Sequence, residues 1–486
     1  MAEIPADLNP RPAGNFPDWL DQRTGWRAIM RDALEERIPG GARWSYVFGA
    51  GLLFLLLSQV VTGIFLALYY VPSADHAHTT VAYIMKVVTD GAFLRSIHYY
   101  GASIMVILLV VHMTQTFMYG SYKGRRELLW IAGVILFGLV LAMAFTGYLL
   151  PWDERAYFAT AVGTNAMSEV PVIGQWLKLA LRGSASMGTL TISRFFMLHV
   201  FVLPLGLLAF VAAHLFLFRK AGPAGPPSAD PIAPKLKTET FYPKQVAMDA
   251  VFALVLIIIL FLLAYFVPKG LGLAANPADT TFIPRPEWYY RPLFQFLKYW
   301  EGPLALIGIL VVPGIITLLL LGLPFYDRRP ERRPWRRPIA AGVFIVVLAG
   351  LVILGIISYQ VDDRNPAVAA QLASQAAAEK RFVKQPFQPV LTGAALAAVA
   401  SAQPNPLIAK GKQIYESQGC VSCHGEGGAG TAVAIKLIGI NQKFSQTALA
   451  AFIRHPDPKI TRGIMPSFPL SDADMNALIA YLDSLK

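Results

Sequence analysis

Cysteine and charge are both scarce in this chain. Its 486 residues include two cysteines, which excludes a disulfide-rich secreted scaffold because such folds need several bridges. Charged residues make up 15% and hydrophobic residues 55%, a balance that excludes an ordinary soluble protein. Residues 1–43 lack the short apolar core of a signal peptide, so we expect none to be cleaved. The composition predicts a polytopic membrane protein.

Seven apolar runs are each long enough to cross a bilayer as a helix. They lie near residues 44–71, 92–119, 128–150, 194–218, 246–267, 303–324 and 338–359. We therefore expect an all-α fold, in which a polytopic bundle of seven transmembrane helices is followed by a small soluble α-helical domain.

Basic residues set the expected orientation. If the amino terminus is cytoplasmic, most Lys and Arg of the loops lie on the cytoplasmic side, as the positive-inside rule requires, and seven crossings place the tail outside. These loops also explain the net charge of +12, so no nucleic acid is implied. The stretch from Asp18 to Arg37 is expected to form one amphipathic helix on the membrane surface.

Two pairs of histidines lie in the second and fourth apolar runs. His98 and His112 have i, i+14 spacing, whereas His199 and His214 have i, i+15 spacing. On a helix these separations correspond to rises of about 21 and 22 Å, with net rotations of roughly −40° and +60°. Each pair therefore stays near one helix face at two depths, which fits two stacked haems. The alternative is polar side chains that bind neighbouring helices.

Glycines repeat at the same interval in the first and third runs. Gly49 with Gly63, and Gly133 with Gly147, share the i, i+14 spacing of the first histidine pair. Glycine allows a flat macrocycle to lie against the backbone. Glycine also serves plain helix packing in membranes, so the haem interpretation depends on the histidines beside it.

Both cysteines belong to one C-x-x-C-H motif, Cys420 to His424. This is the attachment signature of a c-type haem, in which Cys420 and Cys423 bind the vinyl groups and His424 ligates iron. A redox-active dithiol or a zinc half-site is the alternative. Met465 follows His424 far enough along the chain to fold back to the iron and is a candidate sixth ligand, although a methionine can equally be a core residue.

Four motifs carry a resemblance to a known family. They are Arg95-Ser96-Ile97-His98 with Gly101-Ala102-Ser103, the run from Gly147 to Asp153, Arg194-Phe195-Phe196-Met197-Leu198-His199, and Pro286-Glu287-Trp288-Tyr289. With them, residues 20–360 resemble cytochrome b of the bc-type quinol:cytochrome c oxidoreductases, and the tail resembles a class I cytochrome c. The i, i+15 spacing of His199 and His214, together with seven spans, resembles the b6f branch. Val47 stands where cytochrome b6 has a haem-binding cysteine, so that bond cannot form here.

The resemblance implies a domain organisation. We expect a cytoplasmic amino-terminal segment, a b6-like four-helix di-haem domain, a subunit IV-like three-helix domain with the Pro286–Tyr289 loop, a linker and a cytochrome c domain. Their expected bounds are 1–43, 44–225, 226–360, 361–406 and 407–486. The linker is rich in Ala, Gln and Pro, which is typical of a tether or a loosely packed helix.

The resemblance also implies site residues. Each histidine pair would hold one non-covalent b haem, with His98 and His199 near the outer face and His112 and His214 near the cytoplasmic face. Arg95 and Arg194 would bind the propionates of the outer haem, although interface arginines can also serve as topology anchors. Glu287, beside Tyr289 on an outer loop, would accept the quinol proton, whereas a lone loop glutamate is usually just solvated.

The implied reaction is bifurcated quinol oxidation coupled to proton translocation across a bacterial cytoplasmic membrane. One electron would pass to a separate Rieske iron–sulfur protein, because both thiols of this chain are assigned to haem c, and from there through haem c to a periplasmic cytochrome c or oxidase. The other would cross the two b haems to an inner quinone site. A lipid-embedded homodimer is expected. The alternatives are a b-haem membrane anchor without bifurcation and a channel or transporter with structural haems.

Overall fold

The computed structural model describes residues 15–227, 236–389, 406–431, 433–461 and 465–485. Most of the chain is helical, as expected for the all-α class. The chain divides into two compact units, Met1–Pro389 and Val390–Lys486. Residues 1–14 of the expected amino-terminal segment and 390–405 of the expected linker lie outside the described residues.

Seven helical segments of the first unit are long and apolar enough to cross a membrane, as predicted. In chain order the spans are Trp44–Ala67 with α3 (Val47–Ala67), α5 (Gly91–Met118), α6 (Glu127–Leu149), Thr189–Ala221 with α9 (Thr189–Met197) and α10 (Leu203–Ala221), α11 (Lys244–Phe266), Ile307–Tyr326 with α13 (Val312–Tyr326), and α14 (Pro338–Arg364). The shorter helices are α1 (Phe16–Thr24), α2 (Trp26–Leu34), α4 (Ala77–Lys86), α7 (Glu154–Ser168), α8 (Gly174–Arg182), α12 (Arg291–Leu297) and α15 (Pro366–Lys384).

The amino-terminal amphipathic segment is two helices rather than the one helix that the sequence predicted. Gly25, between α1 and α2, has a φ of 62°, a left-handed conformation that ends α1. Asn15 caps α1 by accepting a hydrogen bond from the backbone N–H of Asp18. The correction follows from the conformational freedom of this one glycine.

The described residues contain two β-strands, Arg37–Pro39 and Thr238–Thr240. They pair antiparallel. Ile38 lies opposite Glu239. This short ribbon joins the segment before α3 to the segment before α11, so it fixes the two chain regions that enter the bundle from the same end.

The core of the bundle lies where α3, α5, α6 and α10 meet. Leu55, Met105, Val140 and Leu207 are buried there. Each of them lies about midway along its helix between the two histidine or glycine positions singled out above. The apolar core therefore forms a layer between the two histidine levels.

An ionic cluster ties the loop after α5 to the loop after α13. Asp327 accepts hydrogen bonds from Lys123 Nζ at 2.7 Å and from an Arg337 guanidinium nitrogen at 3.1 Å. Lys123 is 7% exposed and Arg337 is 6% exposed. Because buried charges are costly unless paired, this cluster holds the loops in a defined arrangement.

The second unit is a small helical domain. It contains α16 (Pro406–Ser417), α17 (Cys420–His424), α18 (Gln446–Arg454), α19 (Pro458–Thr461) and α20 (Asp472–Ser484). α16 packs across α20 at Gly411, where a Cβ would overlap the carbonyl oxygen of Ala477. Tyr415, Met475 and Leu478 form part of its buried core.

Candidate functional site

The imidazoles of His98 and His199 face each other across the bundle. Their ring centroids are 6.3 Å apart, with 77° between the ring planes. An imidazole nitrogen binds a metal at about 2 Å, so two rings on opposite sides of one metal ion have centroids about 6 Å apart. The spacing of this pair therefore fits two axial ligands of one iron.

Threonine hydroxyls fix which nitrogen of these histidines is free. Thr62 donates its only proton to the carbonyl of Ser58 at 2.6 Å, so its oxygen, 2.9 Å from Nδ1 of His98, accepts the Nδ1 proton. Thr146 is placed alike, 2.9 Å from the carbonyl of Ala142 and 3.1 Å from Nδ1 of His199. Nε2 of each ring then keeps its lone pair for a metal.

Each of the four glycines lies against one histidine. The pairs are Gly63 with His98, Gly147 with His199, Gly49 with His112, and Gly133 with His214. A Cβ at Gly63 would lie 3.2 Å from Cε1 of His98, and one at Gly147 would overlap Cε1 of His199. The bare backbone of α3 and α6 thus makes room for the imidazoles themselves, in addition to any macrocycle.

A π turn explains the unequal spacing of the histidines. His199 lies in the π turn Leu198–Val202, between α9 and α10, and α5 has no such turn at His98. A π turn takes one additional residue, and one residue of α-helix corresponds to about 100° of rotation. The i, i+15 interval from His199 to His214 is therefore equivalent to the i, i+14 interval from His98 to His112.

The second histidine pair lines a cavity of about 820 Å³. His112 and His214 contribute to its wall together with Gly49 and Gly133. A pocket of this size accommodates a large cofactor or ligand. Arg126, Arg219 and Asp249 line the same cavity, so it joins the histidine pair to a polar rim.

Arg95 and Arg194 lie near the first histidine pair but bind backbone carbonyls. Arg95 donates to the carbonyls of Lys269 and Gly270, both at 3.0 Å. Arg194 donates to the carbonyls of Leu179, at 3.2 Å, and Ala180. The propionate role expected for these arginines therefore stays a prediction.

Glu287 is buried, with 8% of its surface exposed. One hydroxyl donor and two cationic side chains lie near its carboxylate. Tyr99 donates to its Oε2 at 2.7 Å. Lys269 Nζ lies 3.4 Å from Oε1, and a guanidinium nitrogen of Arg155 lies 4.0 Å from the same oxygen. The carboxylate is thus held in place, which distinguishes it from a solvated loop glutamate.

The segment from Pro286 to Tyr290 contacts α5 and α6, the helices that carry His98 and Gly147. Tyr99 follows His98 directly on α5. Tyr290 donates to the carbonyl of Leu141 on α6 at 2.6 Å. Burial and the neighbouring Glu287 raise the pKa of Tyr289, so this phenol stays protonated at neutral pH.

We call this end of the bundle the PEWY side and the opposite end, with α2, the amino-terminal side.

The same segment is anchored to the last span. Asp362 near the end of α14 accepts two hydrogen bonds from Arg285, at 2.7 and 2.8 Å, and one from Arg291 at 2.7 Å. Asp362 is 4% exposed. The arginines on both sides of the PEWY tetrapeptide are therefore fixed by one carboxylate.

In the second unit, His424 is oriented by the backbone. Its Nδ1 lies 2.8 Å from the carbonyl of Ile435, which can only accept, so Nδ1 carries the proton and Nε2 is free for iron. Cys420 packs against the domain core, as does Met465. The residues just before Met465, 462–464, lie outside the described residues.

The zinc alternative finds no support in the described part of the chain. No group of three or more His, Cys, Asp and Glu side chains there is arranged to hold a metal ion. Cys420 and Cys423 lie in one short helix with His424, which is the arrangement that covalent haem attachment needs.

Sequence reasoning missed the two threonines and Lys269. Thr62 and Thr146 directly precede Gly63 and Gly147, so a repeated Thr-Gly dipeptide was the available signal. Lys269 is 18 residues from Glu287, and nothing in the local sequence relates the two.

Three family models match the chain. Residues 34–222 match "Cytochrome b/b6/petB", residues 274–377 match "Cytochrome b(C-terminal)/b6/petD", and residues 408–486 match "Cytochrome c". The chain is 34% identical over 359 residues to a cytochrome b of Rickettsia conorii. This match covers 73% of this chain and 89% of that protein.

Two further proteins are similar. The chain is 37% identical over 314 residues to the "Cytochrome bc complex cytochrome b subunit" of Chlorobaculum thiosulfatiphilum, covering 64% of this chain and 72% of that protein. A solved chain of "Hyperthermophilic respiratory Complex III" is 28% identical, with a TM-score of 0.64, covering 76% of this chain and 97% of that chain.

A membrane bundle with one facing histidine pair and a second pair lining a cavity, in one chain with a C-x-x-C-H domain, defines a membrane-bound cytochrome. The chain belongs to the cytochrome b family of the bc-type complexes and carries a fused cytochrome c domain. The predicted family is confirmed, and so are haem as the class of cofactor and a multi-pass membrane location.

Proposed function

We propose that this chain is the core subunit of a quinol:cytochrome c oxidoreductase and that it oxidises quinol on the PEWY side. The observation that carries the proposal is the position of Glu287. Its carboxylate binds Tyr99, and Tyr99 is the neighbour of His98 in the chain. A proton acceptor is thus hydrogen-bonded to the chain neighbour of a residue suited to ligate an electron carrier.

Glu287 is the proposed base. Quinol oxidation releases two protons and two electrons, and an ionised carboxylate can accept a proton from a phenolic hydroxyl brought within hydrogen-bond reach. Lys269 Nζ and the Arg155 guanidinium lie beside one oxygen of the carboxylate, while Tyr99 fixes the direction of the other. Tyr289, a protonated phenol, packs against the bundle core.

The proposed cofactors are two b haems and one c haem. His98 and His199 would ligate one b haem, His112 and His214 the other, and His424 with Met465 the covalent c haem on Cys420 and Cys423. With two histidines on each iron, the b haems would transfer electrons rather than bind oxygen. Gly49, Gly63, Gly133 and Gly147 keep space beside the ligands.

The proposed reaction divides the two quinol electrons. One goes to a Rieske protein, which must be a separate subunit because Cys420 and Cys423 are assigned to haem c, and then to a periplasmic cytochrome c or oxidase. The other reaches a quinone site at the amino-terminal side, where Arg126, Arg219 and Asp249 line the cavity. The PEWY side then faces the periplasm of a bacterial cytoplasmic membrane, with a homodimer embedded in lipid.

A redox-titrated difference spectrum of the purified complex tests the proposal. During quinol oxidation, we expect reduction of two b haems and one c haem, all sensitive to an inhibitor of the PEWY pocket. The Glu287→Gln variant should lower quinol oxidation by roughly 10²-fold or more while leaving the haem spectra unchanged.

The alternative of a simple relay gives a different result. Reduction of the c haem with both b haems oxidised and no effect of inhibitor would contradict bifurcation. Unchanged quinol oxidation in Glu287→Gln would contradict the assignment of the base.

A further inference from the structure

Helix α15 lies against the loops of the PEWY side. Near its start, Gln371 donates to the carbonyl of Thr281 at 3.1 Å. Near its end, Lys86 Nζ donates to the carbonyl of Phe382 at 2.8 Å and lies 4.0 Å from the centre of its ring. The helix is therefore attached at two points to the loops and helices of the PEWY side.

Between these two attachments, Glu379 reaches Arg155. An oxygen of Glu379 lies 3.4 Å from one terminal nitrogen of Arg155, and the other terminal nitrogen lies 4.0 Å from Oε1 of Glu287. The side chain of Glu379 is 23% exposed and also packs on Gly270. One guanidinium thus bridges two carboxylates and is closer to the one that α15 supplies.

We propose, on the basis of the function proposed above, that Glu379 is a positioning residue for quinol oxidation. It holds one end of the Arg155 guanidinium and so limits how fully that cation neutralises Glu287. Glu379 lies beyond residues 274–377, the region that the cytochrome b carboxyl-terminal model matches. The contact belongs to the segment through which the chain continues towards its cytochrome c domain.

Several charged and titratable groups face Glu287, and they come from several different parts of the fold. They are Tyr99 and Tyr100 of α5, Tyr148 of α6, Arg155 of α7, Lys269 after α11 and Tyr289 of the same loop. Arg155 in turn faces Asp153 and Tyr148 as well as the two glutamates. Glu379 is the carboxylate that α15 adds, and it contacts Arg155 rather than Glu287.

The sign of the expected effect follows from charge. Removal of the negative charge at Glu379 leaves Arg155 free to approach Glu287 and removes a nearby like charge. Both changes make a negative charge at position 287 more favourable in the variant, since charges of opposite sign attract and like charges repel. A base that must be ionised to act would then stay active at lower pH, so the acid limb of the rate profile moves down.

The experiment compares Glu379→Gln, Glu379→Asp and the unmodified full complex. Inhibitor-sensitive quinol:cytochrome c electron transfer is measured from pH 5 to 9. For Glu379→Gln we expect the acid limb to move down by about half a pH unit, which raises the rate at the original midpoint about 1.5-fold relative to each maximum. Glu379→Asp should keep the original profile.

Gln371→Ala is the matched control, because it removes another contact of α15 without changing charge. An unchanged profile in Glu379→Gln, or an equal shift in Gln371→Ala, would overturn the proposal. So would loss of haem in both Glu379 variants, which would assign the residue a purely structural role. Glu287→Gln separates the two proposals, because unaltered activity there contradicts the base itself, whatever Glu379 does.

Discussion

The hydroxyl of Thr62 lies 2.9 Å from Nδ1 of His98 and donates its own proton to Ser58. This arrangement leaves Nδ1–H as the donor and makes the imidazole more electron-rich. An electron-rich ligand stabilises the oxidised form of an iron that it binds. Thr62 should therefore hold the midpoint potential of the proposed PEWY-side haem below the value that His98 alone would give.

Thr62→Val should raise the midpoint potential of one b haem. The substitution keeps the shape of the side chain but leaves a buried N–H without a partner, at a cost of about 1–3 kcal/mol. The expected rise is on the order of tens of millivolts, because one hydrogen bond contributes about 1 kcal/mol. Redox titration of the b-haem absorbance measures it.

Two controls separate this effect from general damage. Thr62→Ser keeps the hydroxyl and should keep the potential. Thr114→Val removes a hydroxyl on α5 that donates only to the carbonyl of Val110, and it should leave both b potentials unchanged. Equal shifts in Thr62→Val and Thr114→Val would show that the hydrogen bond to His98 is not the cause.

Gly147→Ala should displace His199. The new Cβ would overlap Cε1 of the ring and lie 3.0 Å from Nε2. Overpacking of this kind costs about 1–3 kcal/mol, and here it moves the proposed ligand atom itself. We expect loss of one b haem, measured as the ratio of haem b to protein.

Gly138→Ala on the same helix is the matched comparison. Nothing lies within 4 Å of a Cβ at Gly138, so this variant should keep both b haems. A full haem content in Gly147→Ala would mean that the glycine serves only helix packing, which is the alternative that the sequence left open.

The sequence revealed those features that recur at helical intervals. The seven spans, the histidine pairs and the four glycines could be predicted because a helix converts spacing into position. The π turn at His199 could not be predicted, although it is the reason why the longer histidine interval of one span matches the shorter interval of the other. The only trace of the π turn in the sequence was the unequal spacing of the two histidine pairs.

Most of the site features that the sequence did not predict depend on contacts between distant parts of the chain. Lys269 and Arg155 reach Glu287 from separate parts of the chain, and Glu379 contacts Arg155 across 224 residues of sequence. The segment from 361 to 406 was expected to be a tether or a loose helix because its composition is rich in alanine. Composition does not show that one of its glutamates lies beside the proposed site.

A carboxyl pair on the PEWY side should make stability depend on pH. Burial and a hydrogen bond with Asp279 raise the pKa of Glu154 to about 7, from an ordinary value of 4.5. Hydrogen bonds from Thr281 keep the pKa of Asp279 below its usual range. Between pH 4.5 and 7 the folded chain therefore binds more protons than the unfolded chain, so stability falls as the pH rises through this interval.

Glu154→Gln should reduce this fall, because the amide resembles the protonated acid. The measurement is the midpoint of thermal loss of haem absorbance at pH 5.5 and pH 7.5, and the decrease should be smaller in the variant. Glu169→Gln, an exposed position at the end of the same helix, should behave as the unmodified chain. Identical pH dependence in all three proteins would contradict the carboxyl pair.

Met465→Leu should lower the midpoint potential of the c haem. A thioether ligand raises the potential of a haem iron, and different axial ligands set redox potentials over a range of about 0.8 V across haem proteins. We therefore expect a fall on the order of 100 mV.

Met475 is the control, since it is 1% exposed in the core of the same domain. Met475→Leu conserves volume and should leave the potential unchanged. If Met475→Leu lowered the potential and Met465→Leu did not, Met465 would be a packing residue and the sixth ligand would have to come from elsewhere in the domain.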